Sequence, residues 1–174
     1  MSHQMYLTQT NIIHSKVDAI VNAANRGLSG GGGVDGAIHR AAGPELMQAC
    51  RALGGCETGK AKITQGFRLP AKYVIHAVGP VWYGGHRGEA ELLASCYRES
   101  LRLADEYQLK TIAFPSISTG AYGYPLRQAA KIALTEIQTY LAGETQIESV
   151  NCVCFDKKTL KAYQLTLETL LSKR

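Results

Sequence analysis

The 174-residue sequence lacks the features that mark membrane, secreted and metal-stabilised proteins. No apolar run approaches the ~18 residues that a membrane-spanning helix needs. Residues 1–16 show no basic segment followed by an apolar one, so nothing predicts export and we expect a cytoplasmic protein. The five cysteines form no CxxC pair and no zinc-finger spacing, and their odd number excludes complete pairing. We therefore expect reduced thiols, most of them in the core, and neither a metal ion nor a cofactor.

The composition predicts a folded protein whose charge is unevenly distributed. Hydrophobic residues make up 45% of the chain and charged residues 19%, which is typical of a globular protein. Because domains commonly span about 100–200 residues, we expect residues 1–174 to form a single domain. The whole positive excess lies in residues 1–87 and fits either a basic surface or an anionic ligand. The pattern does not favour nucleic acid, because the basic residues are dispersed and not interleaved with aromatic ones.

Hydrophobic patterning predicts strands that alternate with helices. Short β-branched runs predict buried strands at residues 17–21, 73–78, 111–114 and 150–155, and weaker strands at 5–8 and 62–67. Apolar stripes at helical spacing predict helices over residues 89–107, 125–141 and 159–171. Pro125 suits the first position of its helix. This alternation predicts an α/β fold with a layered sheet and much parallel pairing.

Two loops of small residues each connect a predicted strand to a predicted helix. The first contains Asn25 and the glycines at positions 30–33, and it leads into a helix that opens near Val34. The second spans residues 116–124 and leads into the helix at Pro125. Glycine lets a backbone approach a ligand closely, and the free N–H groups of a helix start attract phosphate. Together the two loops predict a site for a diphosphate at the carboxyl ends of the strands.

Three shorter motifs match known sites only in part. Gly31, Gly33 and Gly36 have dinucleotide-binding spacing, but no acidic residue follows at the end of a second strand. Residues 54–60 resemble a Walker A loop, but they follow a helix and Ala61 replaces the metal-binding hydroxyl. Residues 116–120 lack the first glycine of a serine-hydrolase elbow. We set these three functions aside.

Four stretches of the sequence form a distinctive set: Asn22-Ala-Ala-Asn25, Gly30-Gly-Gly-Gly-Val-Asp-Gly-Ala-Ile-His39, Gly55-Cys-Glu-Thr-Gly59 and Ile117-Ser-Thr-Gly-Ala-Tyr-Gly-Tyr-Pro125. In these stretches the chain resembles the macro domain family, MacroD type. The resemblance implies a three-layer α/β/α fold around a central mixed sheet. It also implies a stand-alone enzyme that hydrolyses ADP-ribose derivatives, by deacetylating O-acetyl-ADP-ribose or by removing mono-ADP-ribose from acidic side chains. ADP-ribosylated proteins are then expected partners.

With ADP-ribose as the ligand, the two loops acquire specific roles. Backbone N–H groups would hold the diphosphate. Tyr122 would pack on the distal ribose and Asn25 would bind its hydroxyls, while Asp35 would orient or deprotonate the attacking water. His39, one helical turn after Asp35, is expected to support it and not to react itself. The residues expected to hold the diphosphate are Gly32, Gly33, Val34, Ser118, Thr119, Gly120 and Ala121.

The adenine end contains one departure from the family pattern. Phe155 is expected to stack on the adenine, with core packing as the alternative. The family usually has Gly-Asp-Ile near its start, where the aspartate accepts a hydrogen bond from the adenine amino group. Here the residues are Thr10, Asn11 and Ile12, so the corresponding bond loses its charge and is expected to be weaker.

Three alternatives remain open at this stage. The chain could be a reader that binds ADP-ribose without turnover, although the presence of both Asn25 and Asp35 favours an enzyme. A regulator that binds RNA or protein through the basic first half is a third class. If the chain is an enzyme, Asp35 and Asn25 are the expected catalytic residues, and either Asp35 is the sole base or the diphosphate of the substrate activates the water while Asp35 and Asn25 position it.

Overall fold

A computed structural model describes residues 3–172 of the chain. These residues form six strands and five α-helices. The strands are β1 (Gln4–Gln9), β2 (Ala19–Ala24), β3 (Ala61–Gln65), β4 (Tyr73–Val78), β5 (Thr111–Phe114) and β6 (Ser149–Cys154). The helices are α1 (Gly33–Ala42), α2 (Pro44–Leu53), α3 (Glu89–Glu106), α4 (Leu126–Ala142) and α5 (Lys157–Ser172), with a 3₁₀ turn at Ile12–His14. Their order along the chain is β1-β2-α1-α2-β3-β4-α3-β5-α4-β6-α5.

The strands form one mixed sheet in the order β1-β6-β5-β2-β4-β3. Only the β3–β4 pair is antiparallel among the described strands. The carboxyl ends of the other five strands therefore lie at the same edge of the sheet, where ligands of open α/β folds bind. Helices α3, α4 and α5 pack on one face around the larger core, and α1 and α2 pack on the opposite face. This is the three-layer α/β/α fold that the resemblance implied.

The observed element boundaries differ from the predicted ones mainly where polar residues lie inside strands. β4 and β5 have the predicted limits. β2 spans Ala19–Ala24 where residues 17–21 were predicted, and it continues past the polar Asn22 because all six of its residues pair in register with β4. β6 ends at Cys154, and Phe155 is 73% exposed. Pro125 is the residue before α4 and not its first residue.

Buried thiols fill part of both cores. All five cysteines are free and buried, as the cysteine pattern predicted. Burial raises the pKa of the Cys96 thiol to about 12, so this side chain behaves as an apolar core residue. No helix in the described part of the chain is long and apolar enough to cross a membrane.

Candidate functional site

Two adjoining cavities form one cleft along the carboxyl edge of the sheet. The inner cavity has a volume of about 320 Å³ and lies over the ends of β2, β4 and β5. The outer cavity has a volume of about 470 Å³ and lies over the ends of β1, β5 and β6. The two cavities share four residues, which mark the boundary between them: Gly33, Val34, Ser116 and Gly120. The cleft therefore has two compartments. We call the narrow boundary between them, which these four residues form, the waist.

Every residue that the sequence predicted for the site lines this cleft. Gly33, Val34 and Gly120 lie at the waist. The inner cavity is lined by Asn25, Gly32, Asp35, Ser118, Ala121 and Tyr122. The outer cavity is lined by Asn11, Ile12, Thr119 and Phe155. The fold thus brings together residues that are more than a hundred positions apart in the sequence.

The start of α1 presents unpaired backbone donors to the waist. Gly32 precedes the helix and its backbone is extended, and no side chain caps the helix start. The N–H groups of Gly33, Val34 and Asp35 are consequently free, and the helix dipole adds a partial positive charge there. Gly36 allows the loop to fold tightly on the helix, because a Cβ at this position would lie 2.5 Å from the carbonyl oxygen of Gly31. An anionic group is the natural ligand of this arrangement.

The second loop faces α1 and also carries free backbone donors. Within residues 3–172, the N–H groups of residues 118–122 have no hydrogen-bond acceptor. Ser118 has a positive φ of 68°, and its carbonyl oxygen accepts a bond from Tyr124 N–H at 2.9 Å. A Cβ at Gly79 would lie 2.2 Å from the Ser118 hydroxyl oxygen and 2.6 Å from Ile117 Cγ2, so a larger residue there would force this turn to shift. Two rows of donors therefore converge on the waist from opposite sides.

A rigid neighbouring loop supports the second row of donors. Trp82 N–H donates to the carbonyl oxygen of Tyr122 at 2.9 Å, and the Trp82 ring packs on Tyr124 with centroids 4.7 Å apart. The buried carboxylate of Glu89 accepts the N–H groups of Tyr83 and Gly85, each at 2.9 Å, and that of Arg87 at 2.6 Å. Burial by itself would raise the pKa of Glu89, but these three bonds, together with one from its own backbone N–H, lower it to about 2.

Asp35 is the one carboxylate in the inner cavity, and it is held in place from two sides. Its side chain is buried in the first turn of α1. Asn22 Nδ2 donates to its Oδ1 at 2.9 Å, and His39 Nε2 lies 3.3 Å from the same oxygen. The position of His39 agrees with the supporting role expected for it. An anchored carboxylate beside a polar cavity can orient a water molecule and accept its proton.

A buried chain of hydrogen bonds continues from Asp35 through the sheet. Asn22 Nδ2 also lies 3.2 Å from His76 Nδ1, so the amide donates one hydrogen to each neighbour. The opposite amide orientation would set two oxygens against each other at Asp35. Because His76 Nδ1 accepts, its proton is assigned to Nε2, which donates to Thr64 Oγ1 at 2.9 Å. Burial, with a smaller effect from His39, lowers the pKa of His76 to about 3, so the ring is neutral.

Sequence analysis gave Asn22 and His76 no role in the site. Both are fully buried polar residues in otherwise apolar strands, which is the signal that could have identified them. They face each other directly in the β2–β4 register, where Asn22 pairs with His76. That pairing joins α1 to the middle of the sheet, and it fixes the Asn22 amide that holds Asp35.

Asn25 has a local structural role as well as a place in the inner cavity. Its Nδ2 donates to the carbonyl oxygen of Gly30 at 2.8 Å, and its Oδ1 accepts the Ser29 N–H at 3.1 Å. One amide hydrogen is left for a ligand. The side chain thus shapes the first loop and can still bind a hydroxyl group in the cavity.

The outer cavity combines an exposed aromatic ring with a polar wall. Phe155 is 73% exposed, which rules out core packing as its role. Asn11 caps the 3₁₀ turn by accepting Ile13 N–H at 3.2 Å, and the second lone pair of its oxygen remains free. Asp156 caps the start of α5, and the backbone N–H of Thr159 lowers the pKa of its carboxyl group. A planar, polar-edged ring fits this compartment.

The residues that line the cleft provide hydrogen bonds and a carboxylate. Among residues 3–172, no group of three or more His, Cys, Asp or Glu side chains has the geometry of a metal site. The arrangement suits an elongated anionic ligand, with its charge at the waist and polar rings on either side. It is typical of α/β domains that bind phosphate-bearing ligands at the carboxyl edge of the sheet.

Comparison with known proteins identifies the family. The profile of the Macro domain matches residues 21–133, so the chain belongs to the macro domain family. A macro domain-containing protein of Chlorobaculum tepidum is 63% identical over 163 residues, which cover 94% of this chain and 95% of that protein. A protein of Enterobacter cloacae named O-acetyl-ADP-ribose deacetylase is 53% identical over 171 residues, which cover 96% of this chain and 95% of that protein.

Solved structures of the family share this fold. The Oceanobacillus iheyensis macrodomain with ADP has a TM-score of 0.93 at 44% identity, covering 97% of this chain and 92% of that one. The Trypanosoma brucei macrodomain in complex with ADP-ribose has a TM-score of 0.89 at 42% identity, covering 94% of this chain and 68% of that one.

Proposed function

We propose that the cleft binds ADP-ribose. The adenine would stack on Phe155 in the outer cavity with its amino group near Asn11, and the diphosphate would lie at the waist between the two rows of N–H donors. The distal ribose would occupy the inner cavity beside Asn25 and Tyr122. Support comes from the free donors on both sides of the waist, and from relatives whose structures contain ADP or ADP-ribose.

We further propose that the chain is a hydrolase that removes groups linked to the distal ribose. The observation that carries this proposal is the anchored carboxylate of Asp35 in the inner cavity, held by Asn22 and His39. Binding alone needs only the two loops, whereas a buried and oriented carboxylate next to the bound ribose serves a reacting water. The Enterobacter cloacae relative named as a deacetylase supports the same class of reaction.

In the acetyl ester, water would add to the carbonyl carbon and give its proton to Asp35. The ester bond to the ribose oxygen would then break, and the proton would pass from Asp35 to that oxygen, leaving ADP-ribose and acetic acid, which ionises to acetate in solvent. The same water and the same carboxylate would hydrolyse an ester that links the ribose to a carboxylate side chain of a protein. A diphosphate bound at the waist would border the inner cavity and could help to orient the water, which is the alternative that the sequence left open.

Incubation of the purified chain with O-acetyl-ADP-ribose and with a mono-ADP-ribosylated glutamate peptide tests this function. We expect release of acetate or of ADP-ribose, with turnover abolished by excess free ADP-ribose. Tight binding of ADP-ribose without any product would instead identify a reader. Failure to bind ADP-ribose would contradict both functions.

Replacing Asn25 with alanine separates binding from catalysis. Asn25 would touch the ribose in the ground state, so Asn25→Ala should weaken ADP-ribose binding as well as turnover. If Asn25 and Asp35 act on one arrangement of ribose and water, the fold-loss in turnover of the double variant should be smaller than the product of the fold-losses of the two single variants. Fully multiplicative losses would show that the two side chains act independently.

A further inference from the structure

A third depression continues the line of the cleft beyond the inner cavity. We call it the basic pocket; it is lined by Arg26, Gly27, Lys60 and Lys62 together with the turn at residues 54–57, and its volume is about 800 Å³. Arg26 follows Asn25, which lines the inner cavity. The carbonyl oxygen of Lys60 accepts a hydrogen bond from Val78 N–H at 3.1 Å. Gly79, which follows Val78, also lines the inner cavity. Along the carboxyl edge of the sheet, the outer cavity, the inner cavity and the basic pocket therefore lie in the same order as the strands, from β1 to β3.

Hydrogen bonds hold the walls of the basic pocket in fixed positions. Cys56 N–H donates to the carbonyl oxygen of Arg26 at 2.8 Å, which ties the 54–57 turn to the first loop. A Cβ at Gly55, whose φ is 96°, would lie 2.9 Å from the same oxygen, so the two segments are in close contact. Lys62 Nζ donates to the carbonyl oxygens of Leu53 at 3.1 Å and Gly55 at 2.5 Å. Its charge is therefore fixed at the end of α2.

The charge of the basic pocket is predominantly positive. Three cationic side chains line it, against the single carboxylate of Glu57. The Arg26 side chain is exposed, and it forms no ion pair with any residue in the range 3–172. The Lys60 side chain is 57% exposed, and its Nζ lies 3.6 Å from Glu99 Oε1. Arg26 is thus the cation most available to an anionic ligand.

We propose that the basic pocket binds acidic side chains that flank the modified residue of a mono-ADP-ribosylated protein. This proposal rests on the proposed function, since it concerns the group attached to the distal ribose. A polypeptide on that ribose must leave the inner cavity, and Arg26, which lines the basic pocket, directly follows Asn25, which lines the inner cavity. Single-stranded RNA is the less suitable anion, because no aromatic side chain lines the basic pocket to stack on a base.

Three substrates measured side by side test the basic pocket. They are a mono-ADP-ribosylated glutamate peptide with acidic flanks, the same peptide with alanine flanks, and O-acetyl-ADP-ribose. Arg26→Glu should lower kcat/KM for the acidic peptide about tenfold, because attraction becomes repulsion in a partly solvated site. The other two substrates should change less than about twofold at physiological salt, because the screening length is then about 8 Å. Lys131→Glu, on the exposed face of α4, is the matched control and should leave all three unchanged.

Two outcomes would overturn the proposal. One is that Arg26→Glu lowers kcat/KM equally for the acidic and the alanine-flanked peptide. The other is that kcat/KM for the acidic peptide stays unchanged while Arg26→Glu weakens the binding of an RNA oligonucleotide. If the wild type binds but does not cleave the peptides, the hydrolase function fails while calorimetry on the intact peptides still decides this proposal. In that case Arg26→Glu should raise the Kd of the acidic peptide about tenfold relative to that of the alanine-flanked peptide.

Discussion

Two replacements of His76 separate its hydrogen bond to Asn22 from its contribution to packing. In His76→Asn, the side-chain oxygen falls close to the position of ring Nδ1 and can still accept from Asn22. In His76→Gln, the amide falls close to the position of Nε2 and reaches Thr64 instead, which leaves the Asn22 donor without its acceptor. Both variants lose the ring, so each is the packing control for the other.

The expected magnitudes follow from burial and from the bond that is lost. His76 is 1% exposed, so replacing its ring with a smaller amide should cost each variant about 2–3 kcal/mol of folding free energy. An unpaired buried donor costs a further ~1–3 kcal/mol. If Asn22 rotates to avoid that cost, Asp35 loses the bond that anchors its carboxylate. At about 1.4 kcal/mol per tenfold in rate, kcat for His76→Gln should fall about 10–100-fold below that of His76→Asn.

Urea unfolding combined with kcat and KM for O-acetyl-ADP-ribose measures both effects. We expect the unfolding free energy of His76→Gln to lie about 1–3 kcal/mol below that of His76→Asn, its kcat to be about 10–100-fold lower, and the two KM values to agree within a few fold. Equal kcat values in variants of equal stability would refute the reasoning. His76 would then be a packing residue, with no influence on Asp35.

Three further predictions concern the walls of the cleft. Asn11→Asp should tighten ADP-ribose binding by about 1 kcal/mol in calorimetry, because a neutral bond becomes charge-assisted; weaker binding would place Asn11 away from the adenine. Glu89→Gln should destabilise the protein at neutral pH. Since folding lowers the pKa of Glu89 from 4.5 to about 2, the stability difference from wild type should persist above pH 4.5 and shrink as the pH falls toward 2; a difference independent of pH would contradict the role given to its carboxylate. Gly79→Ala should lose about 1–3 kcal/mol of stability and weaken ADP-ribose binding, because its Cβ would meet the Ser118 hydroxyl; an unaltered affinity would show that this turn does not bind the ligand.

Local sequence patterns were sufficient to predict the elements that carry the site. β4 and β5 are short, mostly apolar runs that are buried after their first residue, so their limits could be predicted to the residue even though His76 interrupts β4. The donor row at α1 could be predicted because glycines at a strand-to-helix turn leave the helix start uncapped. Resemblance to the macro domain family added the ligand and the order of the compartments.

Long-range pairing was beyond sequence reasoning. Asn22 and His76 meet only because β2 and β4 are neighbours with that particular register, although helices α1 and α2 separate them in the chain. A polar residue in a predicted apolar strand signals a buried partner, but it does not say which one. The basic pocket was missed for the same reason, because it joins the first loop to the turn after α2. The family pattern at Asn11 could be compared by sequence, whereas its capping of the 3₁₀ turn required the structure.

The most direct test of the central claim is the single-turnover rate of Asp35→Ala with saturating O-acetyl-ADP-ribose, measured together with its Kd for ADP-ribose. The account predicts a rate about 10²–10⁴-fold below wild type, since general acid–base catalysis contributes on that scale. It also predicts a Kd within a few fold of wild type, because the diphosphate is held by backbone N–H groups and removing a carboxylate removes repulsion. A rate near that of wild type would contradict the account and leave the diphosphate of the substrate as the group that activates water.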